Sequence, residues 1–551
     1  MLTKGHSNST WRRAKGGVRN SDGVGLSSML YLLCRDALPL SRCSTSSVQM
    51  NADSTSVQMN AEASAMGRDP TEFPNPEEFI PERFEEDEKR ERHHPFAWQA
   101  LGSGQRRSVP TLKPVPFIGS RPWNFREVPQ LKDLEYRRRF GKIWGEYRGR
   151  TPYLFVADPE VAKDVLLRDF DSWSERRFFD YGSPMKNSLD MLPMAQGKFL
   201  RNIFTPGLTA SKLKLGSEIF NERSKALTSS VGKAVGDLGK GMDLKGYFSL
   251  YALDVMAEYG FGMKLNLLED PEHPIAKHAI LLMDPEIFSN PVSLVVEAAP
   301  ALLKYGDYNF LKRESGMFFR RLGSGLVENA SKQGSDKQDF LGLLVRAVRQ
   351  VEENREQFKQ LGIDRSLVEH QVQLIIGAVY DNIRTSLTLL IHALALHPDK
   401  QRKLIQEVDA SIEATGGEIT YDTICMLNYT EVGACVLISS WALGRDLEQF
   451  TDPDEFIPER FEEDKQTHHP FAWQAFGHGP RKCIGMRFSI LQMKFLLCNF
   501  FRDLEIYENS ETVPMEKLEF AKGSVFMLAF KKSIVGIRRR QRSHQQHDEM
   551  E

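Results

Sequence analysis

The group in this chain best suited to chemistry is a single cysteine in a glycine-rich, basic loop, Phe476-Gly-His-Gly-Pro-Arg-Lys-Cys483-Ile-Gly485. A thiolate ligand needs nearby positive charge, amide donors and restricted solvent. Arg481 and Lys482 supply the charge. Gly477 and Gly479 let the backbone turn its amides toward the sulfur, and Gly485 lets a following helix come close. The run Met486-Arg-Phe-Ser-Ile-Leu-Gln-Met-Lys494 reads as that helix, its positive N-terminal end directed at the cysteine. Phe476 can cover the sulfur and lower the local dielectric. The competing reading is a buried structural cysteine beside a glycine turn.

Holding such a loop takes a large framework, and the chain has the material for one. Its 551 residues are 41% hydrophobic and 10% aromatic, ordinary values for a globular protein with a sizeable core. A formal net charge of -2 gives no electrostatic case for nucleic acid as a partner. Cys34, Cys43, Cys425, Cys435, Cys483 and Cys498 show no paired spacing, which argues against a disulfide framework and for a reducing compartment. No stretch reads as a membrane-spanning helix, since the apolar run from Met29 to Cys34 is stopped by Arg35 and Asp36.

Residues 1–70 read as a disordered extension, rich in Ser, Asn, Thr and Gly and without an apolar period. They hold a tandem repeat, Ser47-Val-Gln-Met-Asn-Ala52 and Ser56-Val-Gln-Met-Asn-Ala61. Residues 71–109 form a decayed duplicate of the cysteine-loop region. Glu78 to Asp87 repeats Glu455 to Asp464, and His93 to Ala100 repeats His468 to Ala475. The duplicate then runs Leu101-Gly-Ser-Gly-Gln-Arg-Arg-Ser108, with Ser108 opposite Cys483. Two copies do not make a solenoid, and a hydroxyl is a poor ligand, so a poorly packed extension is expected. The histidine pairs His93-His94 and His468-His469 lack further Cys or acidic ligands at metal-site spacing, so they read as solvated side chains on flexible segments rather than as metal ligands.

Residues 110–540 read as one domain, followed by a polar tail at 541–551. Tyr153 to Ala157 suggests a strand, and Asp158 to Leu167 a helix with proline near its first position. Helical spacing dominates 200–400, and the longest segment, from Ser366 to His397, is closed by Pro398. Strand-like pieces such as Val525 to Phe530 follow the helix after Cys483. The expected fold class is mainly α with small β-sheets.

Phe476, Gly479, Arg481, Cys483 and Gly485 resemble the cytochrome P450 haem signature, Phe-x-x-Gly-x-Arg-x-Cys-x-Gly. The similarity runs from Thr111 to Arg540, with Phe140-Gly-Lys-Ile-Trp-Gly145, Thr205 to Lys214, Tyr259-Gly-Phe-Gly262, Asp339-Phe-Leu341 and Phe456-Ile-Pro-Glu-Arg-Phe461 in family order. It is to the animal microsomal group that includes thromboxane synthase and the liver drug-metabolising enzymes. The resemblance implies a helix-rich triangular domain with haem (iron protoporphyrin IX) as cofactor. Cys483 would be the axial iron ligand, Arg481 and Arg201 propionate partners, and Asp381 with Asn382 the oxygen-activating position. Thiolate ligation donates electron density that favours O–O cleavage. The implied activity is a monooxygenase using O2, a small lipophilic substrate and NADPH-cytochrome P450 reductase, on the cytoplasmic face of the endoplasmic reticulum membrane. By the same resemblance Phe178, Phe179 and Leu189 to Met191 lie over the haem, and Pro291 to Leu303 dips into the bilayer. Lys482, Arg487 and Lys494 would face the reductase.

The chain departs from that pattern in four places. The long helix reads Ala378-Val-Tyr-Asp-Asn382 where the family has Ala/Gly-Gly-x-Asp/Glu-Thr, so Val379 crowds the site and Asn382 replaces the proton-relaying hydroxyl. Gly197 stands where the family has a tryptophan four residues before Arg201. No Glu-x-x-Arg occurs between His397 and Phe456, so the fold is expected to lack a helix and strands after residue 429. Arg460 then loses its ion-pair partners, at a cost of several kcal/mol if buried. The fourth is the N-terminus, where the decayed duplicate replaces a hydrophobic anchor. Beside the monooxygenase stand two other readings: a rearranged, inactive chain that does not retain haem, and a haem-thiolate isomerase of peroxides.

Overall fold

The computed structural model describes residues 51–52, 110, 112, 120, 129–148, 151–174, 187–235, 241–282, 313–333, 339–427, 440–461, 466–521 and 530–541. The expectations for the duplicate and Ser108, for Phe178 and Phe179, for Pro291 to Leu303, and for the break after residue 429 lie outside the described residues.

The architecture is mainly α with small β-sheets. Ile143–Arg148 pairs antiparallel with Thr151–Val156 in full register from Ile143 opposite Val156 to Arg148 opposite Thr151. Trp144 and Phe155, directly opposite, stack at 5.3 Å on the buried face. The expected strand at 153–157 is therefore the second arm of a hairpin. Asp158 then caps the helix Pro159–Lys163 by accepting from the Glu160 and Val161 amides, with Pro159 in the first turn.

The core is built on the helix Gln371–Leu396, which packs along Lys245–Phe261. Its Leu, Ile and Ala side chains are buried on most sides, as expected for a helix with neighbours all round. Arg365–Glu369 runs into it through His370, which keeps helical dihedrals (φ -62°, ψ -20°) and donates to the Ser366 carbonyl at 3.0 Å, so the single helix expected from Ser366 to His397 is present with a local irregularity at His370. Contrary to the sequence reading, Arg365 to Leu396 is long and apolar enough to cross a membrane, and two-thirds (67%) of its most apolar window is buried inside the protein.

Met486–Asp503 packs against Ser217–Ala234. Phe220 sits between them, 5.4 Å from Phe488 and 5.9 Å from Phe495. The Tyr251 hydroxyl donates to the Gln492 carbonyl at 2.7 Å and lies 3.0 Å from Ser224 Oγ, joining three helices at one polar point. Each fully buried aromatic of this kind contributes about 2–3 kcal/mol of apolar burial.

A three-stranded sheet closes the C-terminal side, with Ile534–Arg539 between Gly241–Asp243 and Leu504–Tyr507. His392 ties the central helix to this region through Ser533 Oγ at 3.0 Å and the Val513 carbonyl at 2.8 Å. Of the expected strand at 525–530, the described part is Phe530, bridged to Phe520.

Candidate functional site

Cys483 stands between the short strand Pro480–Lys482 and the helix Met486–Asp503. It is half-buried, and its amide donates to the Phe476 carbonyl at 3.1 Å, closing the loop on itself. Gly477 and Gly479 have φ of 65° and 76°, the left-handed region that favours glycine. Gly479 is required twice over, because a Cβ there would lie 2.2 Å from the Leu166 carbonyl oxygen. Gly485 is the N-cap of the following helix, and a Cβ on it would lie 4.0 Å from Cys483 Sγ. The first turn of an 18-residue helix thus begins beside the sulfur and stabilises negative charge there. Phe476 is buried beneath the loop. Asn51–Ala52 pairs in parallel with Pro480–Lys482, a contact the sequence did not suggest.

Arg201 and Arg481 meet at this loop, and both are buried. Arg201, on the helix Met194–Phe204, donates from Nη1 to the Lys482 carbonyl at 2.8 Å and from Nη2 to the Arg481 carbonyl at 3.2 Å. Arg481 reaches the opposite way, donating from Nη2 to the Leu192 carbonyl at 2.9 Å and the Ser174 carbonyl at 3.3 Å. Sequence reasoning missed these acceptors because a backbone carbonyl carries no residue-type signal.

Asp381 and Asn382 are neighbours on the central helix but serve different faces. Asp381 is buried and ion-paired with Arg384, whose guanidinium lies 5.1 Å from the Tyr380 ring centroid. Burial pushes the Asp381 carboxyl above its ordinary range, opposed by Arg384. Asn382 is half-buried and donates from Nδ2 to the Ala378 carbonyl at 2.7 Å. Leu374, Ile375, Ala378, Val379 and Asn382 keep solvent access on a helix otherwise mostly buried. Their spacing places them on one stripe. Arg384, three residues after Asp381, was legible as an i, i+3 partner and was overlooked.

Three expectations are corrected. Lys494 is 0% exposed and donates to the Leu427 carbonyl at 2.9 Å. It shares the inward face of its helix with Met486 and Ile490, so it belongs to no docking surface; Arg487 is exposed and Lys482 half-buried. Arg460 is not stranded. It donates to the carbonyls of Asp452 at 2.8 Å, Ile457 at 3.2 Å and Glu455 at 3.3 Å, and also to that of Thr451. A turn of carbonyls thus supplies what carboxylates were expected to supply, while the adjacent Glu459 pairs with Lys400 and Lys403. His469 Nε2 is 2.8 Å from Glu160, and His468 packs on Phe450 and Phe461, so both are partly buried and partnered where solvated side chains were expected.

The donor set suits a flat, apolar macrocycle with an acidic edge. It offers one half-buried sulfur at a helix N-terminus, two guanidinia beside it, and an accessible, largely apolar stripe packed on the same core as Cys483 and Ile484. The Cytochrome P450 family profile matches residues 54–107, 109–432 and 431–533. Its first segment covers the end of the N-terminal extension and most of the duplicate, and the other two overlap at 431–432, beside the expected break. Among similar proteins are cytochrome P450 3A13 of Mus musculus, 28% identical over 76% of this chain and 90% of that protein. Lithocholate 6-beta-hydroxylase of Mesocricetus auratus is 28% identical over 75% and 88%, and cytochrome P450 3A40 of Oryzias latipes 28% over 76% and 90%. The chain belongs to the cytochrome P450 family, whose cofactor is haem iron and whose chemistry is that of a monooxygenase, an oxidoreductase.

Proposed function

We propose that this chain inserts one oxygen atom from O2 into a small lipophilic substrate, the other leaving as water, with two electrons from NADPH delivered by a reductase. The observation that carries this reading is Cys483, half-buried on a closed glycine loop at the start of the Met486–Asp503 helix. Bound at this site, haem iron supplies oxygen activation, which thiolate ligation favours. Cys483 would be its ligand, with Phe476, Gly479 and Gly485 shaping the loop and Arg201 and Arg481 placing positive charge beside the acidic edge. Leu374, Ile375, Ala378 and Val379 would form the apolar wall, and Asn382, whose Nδ2 donates to the Ala378 carbonyl, would offer its amide oxygen to a water beside it. Asp381 pairs with Arg384 in the core, away from that wall. The proposed location is the cytoplasmic face of the endoplasmic reticulum membrane.

The experiment is the reduced, CO-bound Soret spectrum of the full chain, with Cys483→Ser as control. A red-shifted thiolate band, lost in the control, supports the reading. No haem uptake would overturn it in favour of the rearranged, inactive chain, a reading motivated by the family match resuming as a separate segment at 431–432. Haem uptake with peroxide turnover but no reductase-linked NADPH consumption would identify the isomerase.

A further inference from the structure

We infer that Arg481 is a positioning residue for Cys483, and that Gly197 is the notch that admits it. The inference rests on Cys483 holding haem and adds how the loop is kept in place. Arg481 lies two residues before the cysteine in the strand Pro480–Lys482. Its Nη2 spans two separate carbonyls, that of Leu192, just before the helix Met194–Phe204, and that of Ser174, just after the turn Phe170–Ser172. Its Nη1 lies 3.1 Å from where a Cβ on Gly197 would stand, closer than ordinary van der Waals contact. Any side chain at 197 therefore pushes on the guanidinium.

One turn further along the same helix, Arg201 reaches back and binds the carbonyls of Arg481 and Lys482. The two guanidinia thus interlock. One leaves the loop for the helix approach; the other leaves the helix for the loop. The Lys482 carbonyl that Arg201 holds belongs to the same peptide plane as the Cys483 amide, which donates to Phe476. Moving Arg481 moves that plane, and with it the sulfur. An ammonium has no fixed donor directions, whereas the planar guanidinium, with Nη2 held by two carbonyls and Nη1 seated at Gly197, has them.

The test compares Arg481→Lys, which keeps the charge and loses the fork, with Gly197→Val, which fills the notch, and with the double variant, all in the full chain. Haem content, the reduced CO spectrum and thermal unfolding without haem are read for each. Each single variant is expected to retain haem about tenfold more weakly, the factor one charged hydrogen bond carries. Each should convert part of the thiolate-type band to the band of a lost thiolate, and the double should be no worse than either single. Gly197→Ala should shift the same readings in the same direction by less, which covers the case in which valine prevents folding. An Arg481→Lys variant with full haem content, an unchanged band and unchanged unfolding would overturn the inference, leaving Arg481 a charge alone. Additive effects of the two single variants would overturn it as well. If the unmodified chain takes up no haem, the proposed function fails, and the unfolding cycle still decides whether Gly197 and Arg481 are coupled.

Discussion

Replacing Arg384 with methionine tests the buried pair on the central helix. Asp381 and Arg384 are each 11% exposed in their side chains, so the variant strands a carboxylate in the core. Breaking such a pair typically costs about 3–5 kcal/mol. The carboxylate can escape by taking a proton. From an unfolded pKa of about 3.9, neutralising it at pH 7 costs about 1.4 kcal/mol per pH unit, or roughly 4 kcal/mol, which caps the penalty. The sign follows: the folded variant holds a proton that the unfolded chain has released, so stability falls as pH rises. The deficit relative to the parent should therefore shrink by about 1.4 kcal/mol for each unit of acidification below 7. Asp381→Asn in the same chain should recover most of it. A remainder of about 0.5–1 kcal/mol would persist from the guanidinium lost over Tyr380. Urea unfolding followed by tryptophan fluorescence, between about pH 5 and 7, gives both numbers. A deficit independent of pH, or a double variant no more stable than Arg384→Met, would refute the reasoning.

Burial holds His392 below its ordinary pKa, so it stays neutral in the folded protein while the unfolded chain takes a proton below about pH 6.5. Stability is lost as pH falls through that value; His392→Gln should flatten part of this acid limb in a pH series of melting curves, with His397, also held down by burial, supplying the rest. Burial would raise Glu459, yet its bonds to Lys403 and Lys400 hold it at about 2. The carboxylate's contribution is present above about pH 4.5 and lost as pH falls toward 2. Because Lys403 is half-exposed, Glu459→Gln should cost only about 1 kcal/mol at neutral pH, and 1 M salt should erase much of the difference. Tyr251→Phe removes the hydroxyl shared by Gln492 and Ser224 and should cost about 1–3 kcal/mol in denaturant unfolding; an unchanged midpoint would show that water replaces it.

The sequence alone was enough to name the cysteine loop, to place a helix after it, and to find the long apolar helix from Ser366 to His397 and the helix start at Asp158. These features are local: glycine and proline punctuate, apolar spacing repeats, and a side-chain oxygen caps. The tertiary structure decided which partners each polar group takes. Arg460 reads as stranded when its expected carboxylates are missing, yet it is surrounded by the carbonyls of its own turn. Lys494 reads as a surface charge, yet its helix turns that face inward onto Leu427. Asp381 and Asn382 read as one pair, yet a rotation of about 100° per helical residue sends one into the core and leaves the other on the accessible stripe. Arg481 reads as a charge beside the cysteine, and only the fold gives it Leu192, Ser174 and the space at Gly197. The physical reason is common to all four. Residue type states what a side chain can donate or accept, whereas backbone carbonyls and helix orientation, set by packing over long separations, decide what it meets.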